Sequence, residues 1–237
     1  MGEIPFADTV RLLREPDNAN YVPGPDSLWF VVRKNQQHKP AIYLENRASG
    51  RSELLIDRAS GPRVSPDGKF LACIVWRSVQ RPWNLVLLDL KSRRLTEPDL
   101  DGCASPYAWS PDAKWLAVMA TPCQSPKSRL ALVSVETGRV RWVDSLAVYA
   151  DYEFGWSPDS HNLVVVRPTA IDRESEDPTV TELWMISDGG RRRCRLPAAP
   201  GYVFSQPKWI SNSALGIDRA RRGSSDERVV LELSEGK

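Results

Sequence analysis

The side chains that invite a chemical reading are hydroxyl and carboxylate pairs in a recurring Ser-Pro-Asp tripeptide. It appears at Ser65-Pro66-Asp67, Ser110-Pro111-Asp112 and Ser157-Pro158-Asp159. Nucleophilic catalysis would need a base, and the chain has only two histidines, His38 and His161, both in polar, turn-like segments. Neither has an obvious catalytic serine or cysteine partner, and Ser110 and Ser157 sit in repeated hairpins where a structural role is expected. The sequence contains no G-x-S-x-G, H-E-x-x-H, G-x-x-x-x-G-K-[ST] or G-x-G-x-x-G pattern. Glycosidase chemistry would need two carboxylates facing each other across a channel. Asp26, Asp67, Asp112 and Asp159 belong at hairpin tips, and Glu153, with Asp151 before it, has no counterpart in the other repeats. The chain is therefore expected not to be an enzyme.

Metal and cofactor chemistry finds as little support. The four cysteines, Cys73, Cys103, Cys123 and Cys194, form no CxxC, and the histidines have no partners at ligand spacing. Asp99-Leu100-Asp101-Gly102 has the start of a calcium loop but lacks its later ligands and closing glutamate. No metal and no cofactor is expected. The formal charge of +2, from 32 basic and 30 acidic residues, supplies no drive toward nucleic acid. No apolar run approaches the roughly 20 residues of a membrane span, and Met1 to Val10 lacks the pattern of a secretory signal.

The tripeptide reads better as a turn. Proline pre-sets φ at the first central position, and aspartate bonds its own backbone at the next. A following glycine accepts the left-handed conformation of a bulged hairpin loop; Gly68 supplies it, whereas Ala113 and Ser160 do so under strain. Weaker copies, Gly24-Pro25-Asp26-Ser27 and Ile210-Ser211-Asn212-Ser213, extend the series to five, with steps of 41, 45, 47 and 53 residues. Each turn precedes an apolar run: Leu28 to Val32, Phe70 to Val75, Trp115 to Met119, Leu163 to Val166, and a poor one, Ala214 to Ile217. Such runs suit strands buried on both faces.

A third β-rich run follows in each repeat, then a second turn, such as Ser49-Gly50-Arg51 or Thr137-Gly138-Arg139, and in four repeats a fourth strand. Four-stranded meanders at this period are expected of propeller blades. The fold expected is all-β: a five-bladed β-propeller of four-stranded antiparallel blades. Blades fall near 19–58, 61–97, 104–145, 151–198 and 202–235, in a single domain over 9–237. The fifth repeat ends where its last strand should begin. Thr9 to Leu13 is expected to supply that strand and close the ring, removing two exposed sheet edges. The competing arrangement is part of a six- or seven-bladed ring.

Motifs of the form W-S-P-D-(G), an apolar strand and a strand ending in x-G-[KR] resemble TolB-type β-propeller repeats, across about residues 9–237. Pro23 in the aromatic position and Asn212 in place of aspartate depart from that pattern. The resemblance implies a binding or gating module, since the repeated residues are turn formers. It also implies an envelope or periplasmic setting if the sequence is part of a longer exported chain; as it stands, the chain is expected in the cytoplasm. The leading expectation is a monomeric, non-catalytic scaffold for a protein partner. Alternatives are a small-molecule or glycan-binding propeller and a regulatory domain of a larger hydrolase.

The partner surface is expected on the rim carrying the second-to-third-strand loops. These bring Arg77 and Arg81, Arg221 and Arg222, and one long acidic loop with Asp172, Glu174, Glu176 and Asp177. Long loops on a rigid scaffold are where binding resides. Trp109, Trp156 and Trp209 share one repeat position and are expected to wedge between blades; Trp83, Trp142 and Trp184 fall on outer strands. Cys103 and Cys123 lie ten residues either side of Ala113, so an antiparallel hairpin would set them opposite each other as a candidate disulfide.

Overall fold

The computed structural model describes residues 21–23, 28–46, 48–78, 83–100, 102–122, 128–143, 153–171, 178–197, 201–221 and 225–233. The chain divides into two compact units, Met1–Glu97 and Pro98–Lys237. Among the described residues, every regular element of more than one turn is an antiparallel strand.

The first unit holds two four-stranded meanders. The first sheet is β1 (Tyr21–Pro23), β2 (Leu28–Lys34), β3 (Pro40–Asn46) and β4 (Arg51–Ile56). The second is β5 (Ala59–Val64), β6 (Phe70–Val75), β7 (Asn84–Asp89) and β8 (Leu95–Thr96). The apolar run of β6 is buried from Leu71 to Val75, as a strand covered on both faces requires. Phe30, Ile42 and Ile56 of the first sheet pack against Leu71, Cys73, Val75, Val86 and Leu88 of the second.

The second unit repeats the design three times. The third sheet is β9 (Cys103–Trp109), β10 (Trp115–Thr121), β11 (Arg129–Ser134) and β12 (Val140–Trp142). The fourth is β13 (Glu153–Trp156), β14 (Asn162–Ile171), β15 (Pro178–Ser187) and β16 (Arg192–Arg195). The fifth has three strands among the described residues, β17 (Val203–Trp209), β18 (Ala214–Ala220) and β19 (Glu227–Glu232). Met119, Leu130 and Leu132 meet Leu163, Val165 and Ile186 in one core, and Val164, Val166 and Leu183 meet Phe204, Leu215 and Ile217 in the next. The run Ala214 to Ile217, poor in large side chains, is nonetheless buried throughout. The closing strand expected at 9–13 lies outside the described residues.

Sequence reasoning missed one recurring feature. The first strands β5, β9 and β17 each carry an extra residue opposite the second strand, between Ser60 and Arg63, Ala104 and Tyr107, and Ser205 and Lys208. Such bulges bend a strand and sharpen its twist. In β9 the bulge sets Cys103 opposite Thr121. Cys123, its expected disulfide partner, lies outside the described residues.

Candidate functional site

The Ser-Pro-Asp turns form closed hydrogen-bond circuits. The hydroxyls of Ser65, Ser110 and Ser157 donate to Oδ1 of Asp67, Asp112 and Asp159 at 2.6, 2.7 and 2.6 Å. The same oxygens accept the backbone N–H of Phe70, Trp115 and Asn162, each at 2.9 Å. Each Asp Oδ1 also accepts the N–H two residues on, from Lys69, Lys114 and His161. The serines are 3%, 0% and 0% exposed. Gly68, Ala113 and Ser160 complete the turns with φ of 72°, 59° and 65°, the left-handed conformation the sequence implied. Partial burial opposes ionisation of the three aspartates, but the hydrogen bonds from serine and backbone prevail and hold their carboxyls below the usual range.

In the second unit these turns also join one sheet to the next. Ser160 Oγ accepts the N–H of Asp112 at 2.9 Å, and Asn212 Oδ1 accepts the N–H of Asp159 at 3.1 Å. The repeat tryptophans act in parallel. Trp156 Nε1–H donates to the carbonyl of Ala108 at 3.2 Å, and Trp209 Nε1–H to that of Gly155 at 2.9 Å. Each acceptor precedes the tryptophan of the preceding repeat. Asn212, a departure from aspartate in the motif, thus supplies an inter-sheet acceptor. Glu153 is exposed and accepts the N–H of Gln206 in the β17 bulge, so it too serves a sheet junction.

The expected rim residues divide. Arg77 donates through Nε and Nη2 to Glu97 Oε2 at 3.2 and 2.9 Å. Arg221 lies over the ring of Tyr202 at 4.4 Å, with Arg219 over the same ring at 4.7 Å. Arg81, Arg222, Asp172, Glu174, Glu176 and Asp177 lie outside the described residues. Of the outer-strand tryptophans, Trp83 is exposed, Trp142 is stacked under Arg129 at 4.1 Å, and Trp184 donates to Glu182 at 3.0 Å.

A cleft of about 460 Å³ opens within the first unit, between the first and second sheets. Its walls are Leu28, Phe30, Leu44, Phe70 and Leu90, and Lys69, Lys91, Arg93 and Asp89 contribute polar groups. The volume falls in the range of small-molecule sites, as does an apolar lining with few polar groups. Asp89 Oδ1 accepts the N–H groups of Ser92 and Lys91 at 2.8 and 2.9 Å, which lowers its carboxyl below the ordinary value. Arg93 Nη2 reaches across to Glu53 Oε1 of the first sheet at 2.7 Å.

Solved structures share this architecture. The chain superposes on the β-propeller domain of the Trilobed protease from Pyrococcus furiosus with a TM-score of 0.62 at 13% identity, covering 88% of this chain and 66% of that one. The match to tricorn protease has a TM-score of 0.60 at 13% identity, covering 90% and 25%. For TolB from Acinetobacter baumannii the values are 0.50 and 14%, covering 88% and 51%. The chain has a TolB-like β-propeller fold. No protein-family model matches the sequence, and no curated protein does so either. The chain spans between a quarter and two thirds of the length of these three structures.

The sheets of this propeller are therefore best called blades. Their repeated polar residues are junction chemistry. Ser160 and Asn212 lay in the sequence motifs, but their role as acceptors depends on the neighbouring blade. The cleft had no sequence signal, because its lining comes from two blades and the two turns that flank them.

Proposed function

We propose that the chain is a non-catalytic, five-bladed propeller that serves as a scaffold for a protein partner. In this reading residues 9–237 form one domain, and Thr9 to Leu13 complete the fifth blade. The observation that carries the reading is the engagement of the Ser–Asp pairs. The groups best suited to chemistry are committed to their own turns, with the serine oxygens buried and each bonded as donor and acceptor. A serine held in this way is a turn-former, and an aspartate that already accepts two hydrogen bonds is a poor general base at neutral pH.

The partner would meet the rim through the acidic loop with Asp172, Glu174, Glu176 and Asp177, and through Arg77, Arg81, Arg221 and Arg222. Charged rims change association rate and salt dependence more than final affinity. The test is photo-crosslinking from a rim position to identify the partner, followed by binding kinetics with purified components. Replacing the four loop acids by serine should slow association at low salt and leave it little changed at high salt. Unchanged kinetics at low salt would remove the loop from the interface.

A second reading, a propeller domain belonging to a larger hydrolase, draws on the likeness to the Trilobed and tricorn proteases. A gene whose reading frame continues into a G-x-S-x-G domain would favour it.

A further inference from the structure

We propose that the cleft of the first unit is a binding site for a small aromatic carboxylate. The junction of the first and second blades shares its strand register with that of the third and fourth, and the two differ in what fills them. In the third blade Trp115 stands opposite Ser134, the residue whose carbonyl accepts Gly138 N–H in the next turn. In the first blade Leu28 stands opposite Asn46, whose carbonyl accepts Gly50 N–H in the same way. Leu28 is therefore the register counterpart of Trp115, and by the same alignment Leu44 matches Leu132 and Glu53 matches Arg141.

Between the third and fourth blades the space is full. A Cβ on Gly189 would stand 3.1 Å from the ring of Trp115, and one on Gly190 3.2 Å from Val143 and 3.3 Å from Leu132. Arg141 spans the junction and donates to the carbonyl of Gly189. Between the first and second blades leucine stands where the third blade has tryptophan, and a cleft of about 460 Å³ opens there with no indole among its described lining residues. An aromatic ring is thus the group that this geometry accommodates from the chain itself in the filled junction.

The polar end of the ligand follows from the lining. Lys69, Lys91 and Arg93 border the cleft with one carboxylate, Asp89, which is engaged by two backbone N–H groups. Lys69 pairs with Asp67 at 3.1 Å and Arg93 with Glu53, two acids outside the lining, while Lys91 forms no ion pair among the described residues. An anion on the ring would meet Lys91 first and have two further cations near it. The site is distinct from the proposed partner rim and does not depend on it.

The probe is 2-naphthoate, titrated into the full chain by calorimetry or ligand-observed NMR, with 2-naphthylmethylamine as its cationic counterpart. Saturable one-to-one binding is expected, at least tenfold tighter for the acid than for the amine. Leu28→Trp should weaken binding at least threefold, since it places an indole within the space the ligand would occupy. The double variant Lys69→Gln, Lys91→Gln alters exposed side chains only and should weaken naphthoate at least threefold while leaving the amine no weaker. Absence of saturable binding, equal affinity for acid and amine, or full affinity in the double variant would overturn the proposal. So would full affinity in a folded Leu28→Trp protein; if that variant does not fold, the double variant and the amine decide alone.

Discussion

Trp209 donates its indole N–H to the carbonyl of Gly155 at 2.9 Å, across the junction of the fifth and fourth blades. Trp156 repeats the bond one junction earlier, to Ala108. The pair shows that the repeated tryptophan combines two functions, apolar packing and a directed inter-blade hydrogen bond. Large area alone would accept any aromatic at this position; the bond requires indole.

Replacing Trp209 with phenylalanine keeps an aromatic ring and removes the bond, so a loss of about 1 kcal/mol is expected. Alanine should cost about 3–5 kcal/mol by also opening a cavity. Urea denaturation of both variants separates the two contributions. Equal stability of the phenylalanine variant and the parent would show that the indole N–H contributes nothing.

The Ser-Pro-Asp turns should make stability depend on acid. The carboxyls of Asp67, Asp112 and Asp159 are lower in the folded chain than unfolded. Their contribution is then fully present above the unfolded value of about 3.9 and is lost as pH falls through the lower folded values. Denaturation midpoints should drop between pH 5 and pH 2, and Asp112→Asn should reduce that drop. A midpoint whose acid dependence is the same in parent and variant would exclude this turn as a source.

Ser110→Ala leaves the N–H of Trp115 without its side-chain acceptor beside a fully buried position. Loss of about 1–3 kcal/mol is expected, the cost of an unsatisfied buried donor. A variant as stable as the parent would mean that the backbone carbonyl or water takes over the role.

Ala113 and Ser160 occupy the same left-handed turn position, yet they should respond differently to glycine. Both substitutions relieve a positive φ that non-glycine residues adopt at a cost. Only Ser160→Gly also deletes the acceptor of Asp112 N–H. Ser160→Gly should therefore be less stable than Ala113→Gly by about 1 kcal/mol, relative to the parent. Thermal unfolding of the two variants tests the difference.

Cys73 is buried in the core of the first unit, and burial pushes its thiol up to about 12, while Cys194 is exposed on β16. Thiolate is the reactive form. Iodoacetamide at pH 8 should label Cys194 in the native protein and reach Cys73 only on unfolding, as peptide mass spectrometry would show. Native labelling of Cys73 at a comparable rate would contradict its place in the core.

Much of this protein was determined by local sequence. Turn chemistry repeats at 41 to 53 residues, and each turn is followed by an apolar run long enough for one buried strand. These features are local, since proline, aspartate and a left-handed residue shape the chain wherever they stand. They located the second strand of each of the five sheets and assigned Ser110 and Ser157 to structure. What only tertiary structure decided is which groups meet across blades. The acceptor roles of Ser160 and Asn212, the carbonyl partners of Trp156 and Trp209, and the bulge that sets Cys103 opposite Thr121 all depend on a neighbouring strand or sheet. The cleft is the clearest case. Leu28 looks like any core leucine in sequence, and only the register that equates it with Trp115 shows a space left unfilled. Packing is settled by side-chain volumes that converge from distant segments, and a one-dimensional pattern carries no measure of that sum.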